Sequence, residues 1–388
     1  MVEGSLSIDR ESLVRLMKNL ISIDSVNQSV GGSGETKIGE FVSDYMEKIG
    51  LDVHIQDVTD EKFNVIGVLK GEDSERSLMM NGHMDTVGVK GMIHSPFEPF
   101  IEDNKMHGRG ACDMKGPIAA MIASAETLAK ARIRLKGDIQ ISTVVDEEYM
   151  SLGTNKLLEE FHPTAAIVGE PTDMGVGIAH DGVVRLEVET LGKATHGSVP
   201  EMGIDAIIEM SKFVLRLNDL KKEYAKRNHV LVGVPKLHTS RIEGGSEWNI
   251  VPDYCLLKVE HRTIPGETSS MIVNEYEQLF EDLKKEDPSF EAGLKVVMDK
   301  QSMEIDSKEP VVKSLQKAFY EIRGFEPQIV GEPYWTDASL FVNKSGIPTC
   351  LFAPGDIRVA HSKNEYINIE DVVDAARIYA HASKNFLS

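Results

Sequence analysis

The chain has 388 residues, 41% of them apolar, and carries 42 basic against 62 acidic residues for a net charge of −20. That length suits about two domains or one large one, and the acidic balance argues against nucleic acid and anionic membranes as partners. Cys112, Cys255 and Cys350 are far apart and form no CxxC pair, no basic-then-apolar start marks a leader, and no apolar run approaches a membrane span of roughly 18 residues, so a reduced, cytoplasmic enzyme or binding protein is expected.

Taken in order, residues 8–22 and 34–49 predict amphipathic helices, the first opening on Asp9 ahead of Leu13, Leu16, Met17, Leu20 and Ile21. Strands follow at 53–58 and 64–69, and a third at 77–81 runs into Gly82-His83-Met84-Asp85. A connection punctuated by Pro and Gly spans 86–106, and an alanine-rich helix covers 118–129. A strand at 138–145 ends in Asp146-Glu147-Glu148, a helix covers 153–161, and a strand at 165–168 ends in Gly169-Glu170-Pro171-Thr172. Helices alternating with apolar strands predict a mainly parallel sheet with helices on both faces.

The pattern changes near residue 179. Val183–Leu191 alternates apolar and polar residues, as a half-exposed antiparallel strand does. A helix at 203–220, strands at 235–243 and 254–263, a helix at 268–285 and a strand at 294–298 complete the order β-α-β-β-α-β of a ferredoxin-like unit. Residues 179–295 therefore read as a smaller α+β domain inserted into an α/β domain of residues 1–178 and 296–388. The larger domain closes with a helix at 309–323, a strand at 348–352, a loop with His361, and a helix from Glu370.

The stretch His107 to Pro117 sets one carboxylate, Asp113, among glycines just before a helix. Alone, it reads as a helix cap, the commonest work of an aspartate there. Three strands also end in potential ligands: His83 with Asp85, Glu147 with Glu148, and Glu170. Each alone suits a satisfied polar residue, a solvated turn or a loop charge. Recurrence at successive strand ends is another matter, because sites in open α/β sheets gather at the carboxyl ends of strands.

These segments, Gly82-His83-Met84-Asp85-Thr86-Val87, Gly108 to Gly116, Asp146-Glu147-Glu148 and Gly169-Glu170-Pro171-Thr172, resemble the dinuclear zinc aminoacylase/carboxypeptidase family, the M20 peptidases. Acetylornithine deacetylase and succinyl-diaminopimelate desuccinylase belong to that family. The likeness continues through Lys193-Ala194-Thr195-His196-Gly197, Arg262 to Thr268, and Ala353-Pro354-Gly355 with His361. It implies a catalytic domain interrupted by a lid and dimerisation domain, and a homodimer.

The resemblance further implies two metal sites sharing Asp113, with His83 and Glu170 completing one and Glu148 and His361 the other. Zinc suits that donor set, and cobalt or manganese could substitute. Asp85 would accept the second imidazole N–H of His83. Glu147 would act as general base and then deliver the proton to the departing amine. His196, which in the family acts across a dimer interface, would stabilise the oxyanion, and Arg262 with Asn249 would hold a substrate carboxylate.

The implied function is a metal-dependent deacylase of N-acyl amino acids. The alternatives are a dipeptidase or carboxypeptidase with the same machinery, or a catalytically silent amino-acid-binding relative. Four departures from the family pattern stand out: Gly88 in place of a proline, Asn104 in place of a glycine, Glu260 in place of an aspartate, and Glu170 where aminoacylases carry aspartate.

Overall fold

Asp9 accepts the amide of Ser12 and so starts the helix Arg10–Ser22, whose buried side chains are the five apolar residues spaced for one face. The computed structural model describes residues 6–72 and 75–388. The first five residues, part of the stretch read as lacking a leader, lie outside them. Among the described residues no helix is long and apolar enough to cross a membrane. The chain divides into two units: Met1–Ile178, Ile305–Val330 and Thr336–Ser388 form one, Ala179–Glu304 and Gly331–Trp335 the other. The return to the larger unit falls at Ile305 rather than 296, because the strand Glu291–Lys300 keeps pairing with Gly182–Leu191 to its end.

In the larger unit the sheet is parallel at its centre. Asp138–Val144, Ser77–His83, Ala165–Val168 and Thr349–Leu351 lie side by side in that order, all parallel. Lys62–Leu69 and then Asp52–Thr59 extend one edge antiparallel. Every residue of Ser77–His83 and Ala165–Val168 is buried, which requires cover on both faces of the sheet. The helices Gly116–Lys130 and Pro310–Arg323 supply part of that cover, and Ile369–Phe386 packs on both of them. A separate three-stranded sheet joins Phe100–Glu102, Lys105–His107 and Tyr366–Asn368.

Parallel order matters because it sends the ends of Ser77–His83 and Ala165–Val168 to one edge, carrying His83 and Glu170 together. Glycine precedes each ligand candidate for a local reason. A Cβ at Gly82 would stand 2.8 Å from Met114 Cε, and one at Gly169 would stand 2.9 Å from the same atom and 2.0 Å from Met121 Cε. Met114 thus fills the space beneath both strand ends.

The smaller unit has the order Gly182–Leu191, helix Ala206–Tyr224, Lys236–Gly244, Tyr254–Thr263, helix Ser269–Glu286, Glu291–Lys300. Its sheet is antiparallel and places the strands second, third, first, fourth, the ferredoxin-like arrangement. Val184, Leu186, Val188, Leu257 and Val259 meet Phe213, Leu217 and Tyr276 in its core.

His261 lies in this core, 1% exposed, with Nε2 2.8 Å from the Tyr276 hydroxyl. Burial, helped by the charges of His238 and Arg227, pushes its pKa down to about 3. Below its ordinary value near 6.5 the unfolded chain takes up a proton that the folded chain refuses, so stability falls as pH drops from about 6.5 toward 3. At pH 4.5 that amounts to about 2–3 kcal/mol. His261→Gln keeps a partner for Tyr276 and removes the titration, so its unfolding midpoint should fall less than wild type between pH 7 and pH 4.5. Equal acid sensitivity in urea melts would contradict this.

Candidate metal centre

Asp113 does not cap the helix that follows it. Gly116–Lys130 starts without a side-chain cap, and the Asp113 backbone is extended at φ −127° and ψ 95°. The carboxylate is turned instead toward two imidazoles. Asp113 Oδ1 lies 2.9 Å from His83 Nε2, and Oδ2 lies 3.0 Å from His361 Nε2. Glu170 Oε1 is 3.7 Å from the same His83 nitrogen, and Glu148 Oε1 is 3.0 Å from His361 Nε2. His83, Asp113 and Glu170 therefore form one group able to hold a cation, and Asp113, Glu148 and His361 form another.

These separations suit metal ligation. Ligand atoms about 2.1 Å from a tetrahedral ion stand about 3.4 Å from one another. The observed gaps bracket that value. Three carboxylates and two imidazoles in one cluster, buried at His83, Asp113 and Glu170 and more open at Glu148 and His361, also match the donors that zinc and similar divalent ions take.

The electrostatics call for positive charge. Burial, then the negative charges of Asp113 and Glu147, raise the Glu170 pKa well above the usual carboxylate range. Burial likewise raises Glu148, with Asp113 adding to it and the His361 hydrogen bond opposing. Burial works against a charged His83, yet the hydrogen bonds of Asp113 and Asp85 outweigh it and lift the pKa well above 6.5. The same balance lifts His361, whose partners are Asp113 and Glu148. Protons are drawn to the two positions where a divalent ion would sit, and ligand protons are what metal binding displaces.

Asp85 is fully buried and does more than orient an imidazole. His83 Nδ1 is 2.9 Å from the Asp85 main-chain oxygen and 3.5 Å from its Oδ1. The main-chain oxygen thus makes the closer contact with the ring, leaving Nε2 toward Asp113. The Asp85 carboxylate accepts the amides of Glu147 and Glu148, each at 3.1 Å, and the Asn27 side-chain amide at 2.7 Å. Asn27 also reaches Asp146 at 3.1 Å, and Lys62 Nζ joins Asp146 to Glu35 at 3.0 Å each. Asp146 sits in the left-handed region at φ +69°. This buried network fixes the turn that presents Glu147, 8% exposed, and Glu148.

Sequence reading missed Asn27, Glu35 and Lys62, which look like turn and helix-start residues. It also missed Glu365, a fully buried carboxylate whose Oε1 accepts the amides of Cys112 and Asp113.

Three further candidates lie in the smaller unit. His196 Nδ1 is 2.8 Å from Ser198 Oγ and accepts the Ser198 amide at 3.2 Å, which puts the proton of the neutral ring on Nε2. His196 pairs with Ile250, and the Gly197 amide donates to the Asn249 carbonyl at 2.8 Å, so His196 and Asn249 lie side by side. Arg262, on the strand Tyr254–Thr263, points its guanidinium at Glu260, with Nε at 3.1 Å and Nη2 at 3.0 Å from Oε1. Glu260 also takes Arg185 at 2.7 Å.

Comparison with known proteins agrees with the chemistry of the cluster. The family model described as Peptidase family M20/M25/M40 matches residues 79–385. The chain is 31% identical to acetylornithine deacetylase of Myxococcus xanthus over 86% of each chain. It is 30% identical to N-formyl-4-amino-5-aminomethyl-2-methylpyrimidine deformylase of Halalkalibacterium halodurans, over 94% of this chain and 92% of that protein. Among solved structures it resembles the YXEP protein of Bacillus subtilis, described as a dinuclear metal binding peptidase from the M20 family. The TM-score is 0.76 at 18% identity, over 97% of this chain and 98% of that one.

Proposed function

The chain belongs to peptidase family M20/M25/M40, and from that premise we propose that it is a two-metal amidohydrolase releasing a small acyl group from an N-acyl amino acid. The observation that carries the reading is Asp113, whose two oxygens face two different imidazoles at 2.9 and 3.0 Å. His83, Asp113 and Glu170 would hold one divalent cation, and Asp113, Glu148 and His361 the other. Zinc fits best, with cobalt or manganese as substitutes. When bound, such a pair supplies Lewis acidity toward the amide carbonyl and the attacking water.

The chain's own residues do the rest. Glu147, which belongs to neither triad, takes the proton of the attacking water. It returns that proton to the amide nitrogen as the C–N bond breaks, so the amine leaves neutral. Asp85 holds the Glu147 amide and thus the direction of its carboxylate. Nε2–H of His196 donates to the oxyanion of the tetrahedral intermediate. Arg262 and Asn249 take the substrate carboxylate, which requires Arg262 to turn partly from Glu260. A homodimer is part of the proposal.

Two relatives at 30% and 31% identity are named for removing a formyl and an acetyl group, which favours a small acyl group on the substrate. The likeness to a protein described as a peptidase supports a second reading, a dipeptidase or carboxypeptidase using the same residues. The deciding experiment is hydrolysis of N-formyl, N-acetyl and N-succinyl amino acids beside dipeptides, after reconstitution with Zn2+ or Co2+. Release of a small acid from one N-acyl series is expected. Turnover of dipeptides alone would replace the first reading by the second, and no turnover at all would remove both. On the best substrate, His196→Ala should cut kcat about 10²–10³-fold with unchanged metal content; an unchanged kcat would end the oxyanion role.

A further inference from the structure

Two segments far apart in sequence carry Asp113 and His361, and five hydrogen bonds lace them together. Glu365 Oε1 accepts the amides of Cys112 at 2.9 Å and Asp113 at 3.1 Å. Glu365 Oε2 takes Arg109 Nη1 at 2.5 Å. Arg109 Nη2 reaches the Ser362 carbonyl at 3.4 Å, beside His361, and the Gly108 amide donates to the Glu365 carbonyl at 3.2 Å. Each segment thus sends one side chain to hold the other's backbone. Glu365 grips the Asp113 loop, and Arg109 grips the His361 loop. Arg109 is 3% exposed and Glu365 is fully buried.

A fully buried glutamate is costly unless its oxygens are partnered, and here Oε1 meets two backbone amides while Oε2 meets Arg109. Packing alone would be served better by an apolar side chain. What an apolar side chain lacks is an anionic oxygen that fits between successive backbone N–H groups. Those two amides belong to Asp113 and the residue before it, so Glu365 sets the backbone from which the Asp113 carboxylate projects. His361 stands only four positions before Glu365, in the left-handed region at φ +59°. Its ring is half exposed, so little packing fixes where it points. Its loop is held by the Arg109 contact at Ser362, by the Ile93 amide at the Lys363 carbonyl and by the His107–Asn364 pair.

We propose that Arg109 and Glu365 are positioning residues that keep the Asp113 and His361 loops in register, so that the two oxygens of Asp113 address two cations. This deepens the function proposed above and rests on its dinuclear reading. Glu365 belongs to neither group of candidate ligands. It acts through Asp113, and Arg109 acts through both loops. Loss of such a supporting contact typically costs 10–100-fold in metal affinity. The cation held by Glu148 and His361 should suffer more, because His361 has less packing to fall back on than His83.

The test is calorimetric titration of the metal-free full chain with Co2+, together with the visible spectrum of the Co2+-loaded protein, for wild type, Glu365→Leu, Glu365→Gln and Arg109→Met. Wild type should take two Co2+. Glu365→Leu and Arg109→Met should bind the weaker Co2+ about 10–100-fold less tightly, with an altered spectrum. Glu365→Gln keeps an oxygen for the two amides and should restore most of the affinity and the wild-type spectrum. Should Glu365→Leu fail to fold by circular dichroism, Arg109→Met and Glu365→Gln still decide. Wild type binding two Co2+ while Arg109→Met and any folded Glu365→Leu match it in affinity and spectrum overturns the register role alone. Wild type binding fewer than two overturns the dinuclear reading and this proposal with it.

Discussion

Glu147→Gln lowers kcat by about 10²–10⁴-fold and leaves two Co2+ bound. The substitution keeps the size of the side chain and the backbone, so the amides at 147 and 148 still donate to Asp85 at 3.1 Å. What disappears is the ability to take a proton. Glu148→Gln is the contrast, since it alters a group 3.0 Å from His361 Nε2 and should lose a cation before it loses anything else. Two adjacent glutamates therefore separate cleanly. One variant keeps its metal and stops turning over, and the other loses metal and activity together. Metal analysis alongside kcat on the best substrate reads both. A kcat for Glu147→Gln within tenfold of wild type would remove the general-base role and leave the cluster as a binding site.

The strand-end residues were readable in the sequence because each follows an apolar run of strand length. His83, Glu147 with Glu148, and Glu170 are the residues that emerge where such runs stop, and parallel pairing brings them together. Asp113 was ambiguous. Its position before a helix fits a cap, and the convergence of other ligands together with the family resemblance argued otherwise. The supporting residues were not readable. Glu365 bonds amides 252 and 253 positions away, and nothing in Ser-Lys-Asn-Glu distinguishes it from a surface loop. Lys62 stands after Asp60-Glu61 as a turn lysine would, yet it is buried between Glu35 and Asp146. The three-residue strands Phe100–Glu102 and Lys105–His107 are too short for alternation to register. Arg262 was read for its fork geometry, and in the fold that fork meets Glu260, a residue already out of pattern.

Asp113→Ala abolishes turnover and drops tightly bound metal below one ion per chain. The reason lies in how the ligands are shared. Removing His361 strips one triad of one ligand and leaves the other intact, but removing Asp113 leaves His83 with Glu170, and Glu148 with His361, as two separate pairs. Two protein ligands rarely hold zinc tightly, since structural sites use four and catalytic sites three. Thermal unfolding gives a second readout that needs no substrate. A ligand binding only the folded state at a hundred times its dissociation constant stabilises by about 2.7 kcal/mol per site. Wild type, with two sites, should therefore show a large rise in melting midpoint on adding Zn2+, His361→Ala about half of it, and Asp113→Ala almost none. If Asp113→Ala and His361→Ala lost the same share of the Zn2+ shift, Asp113 would serve a single ion, and the shared-carboxylate geometry on which Glu147 depends would have to be abandoned.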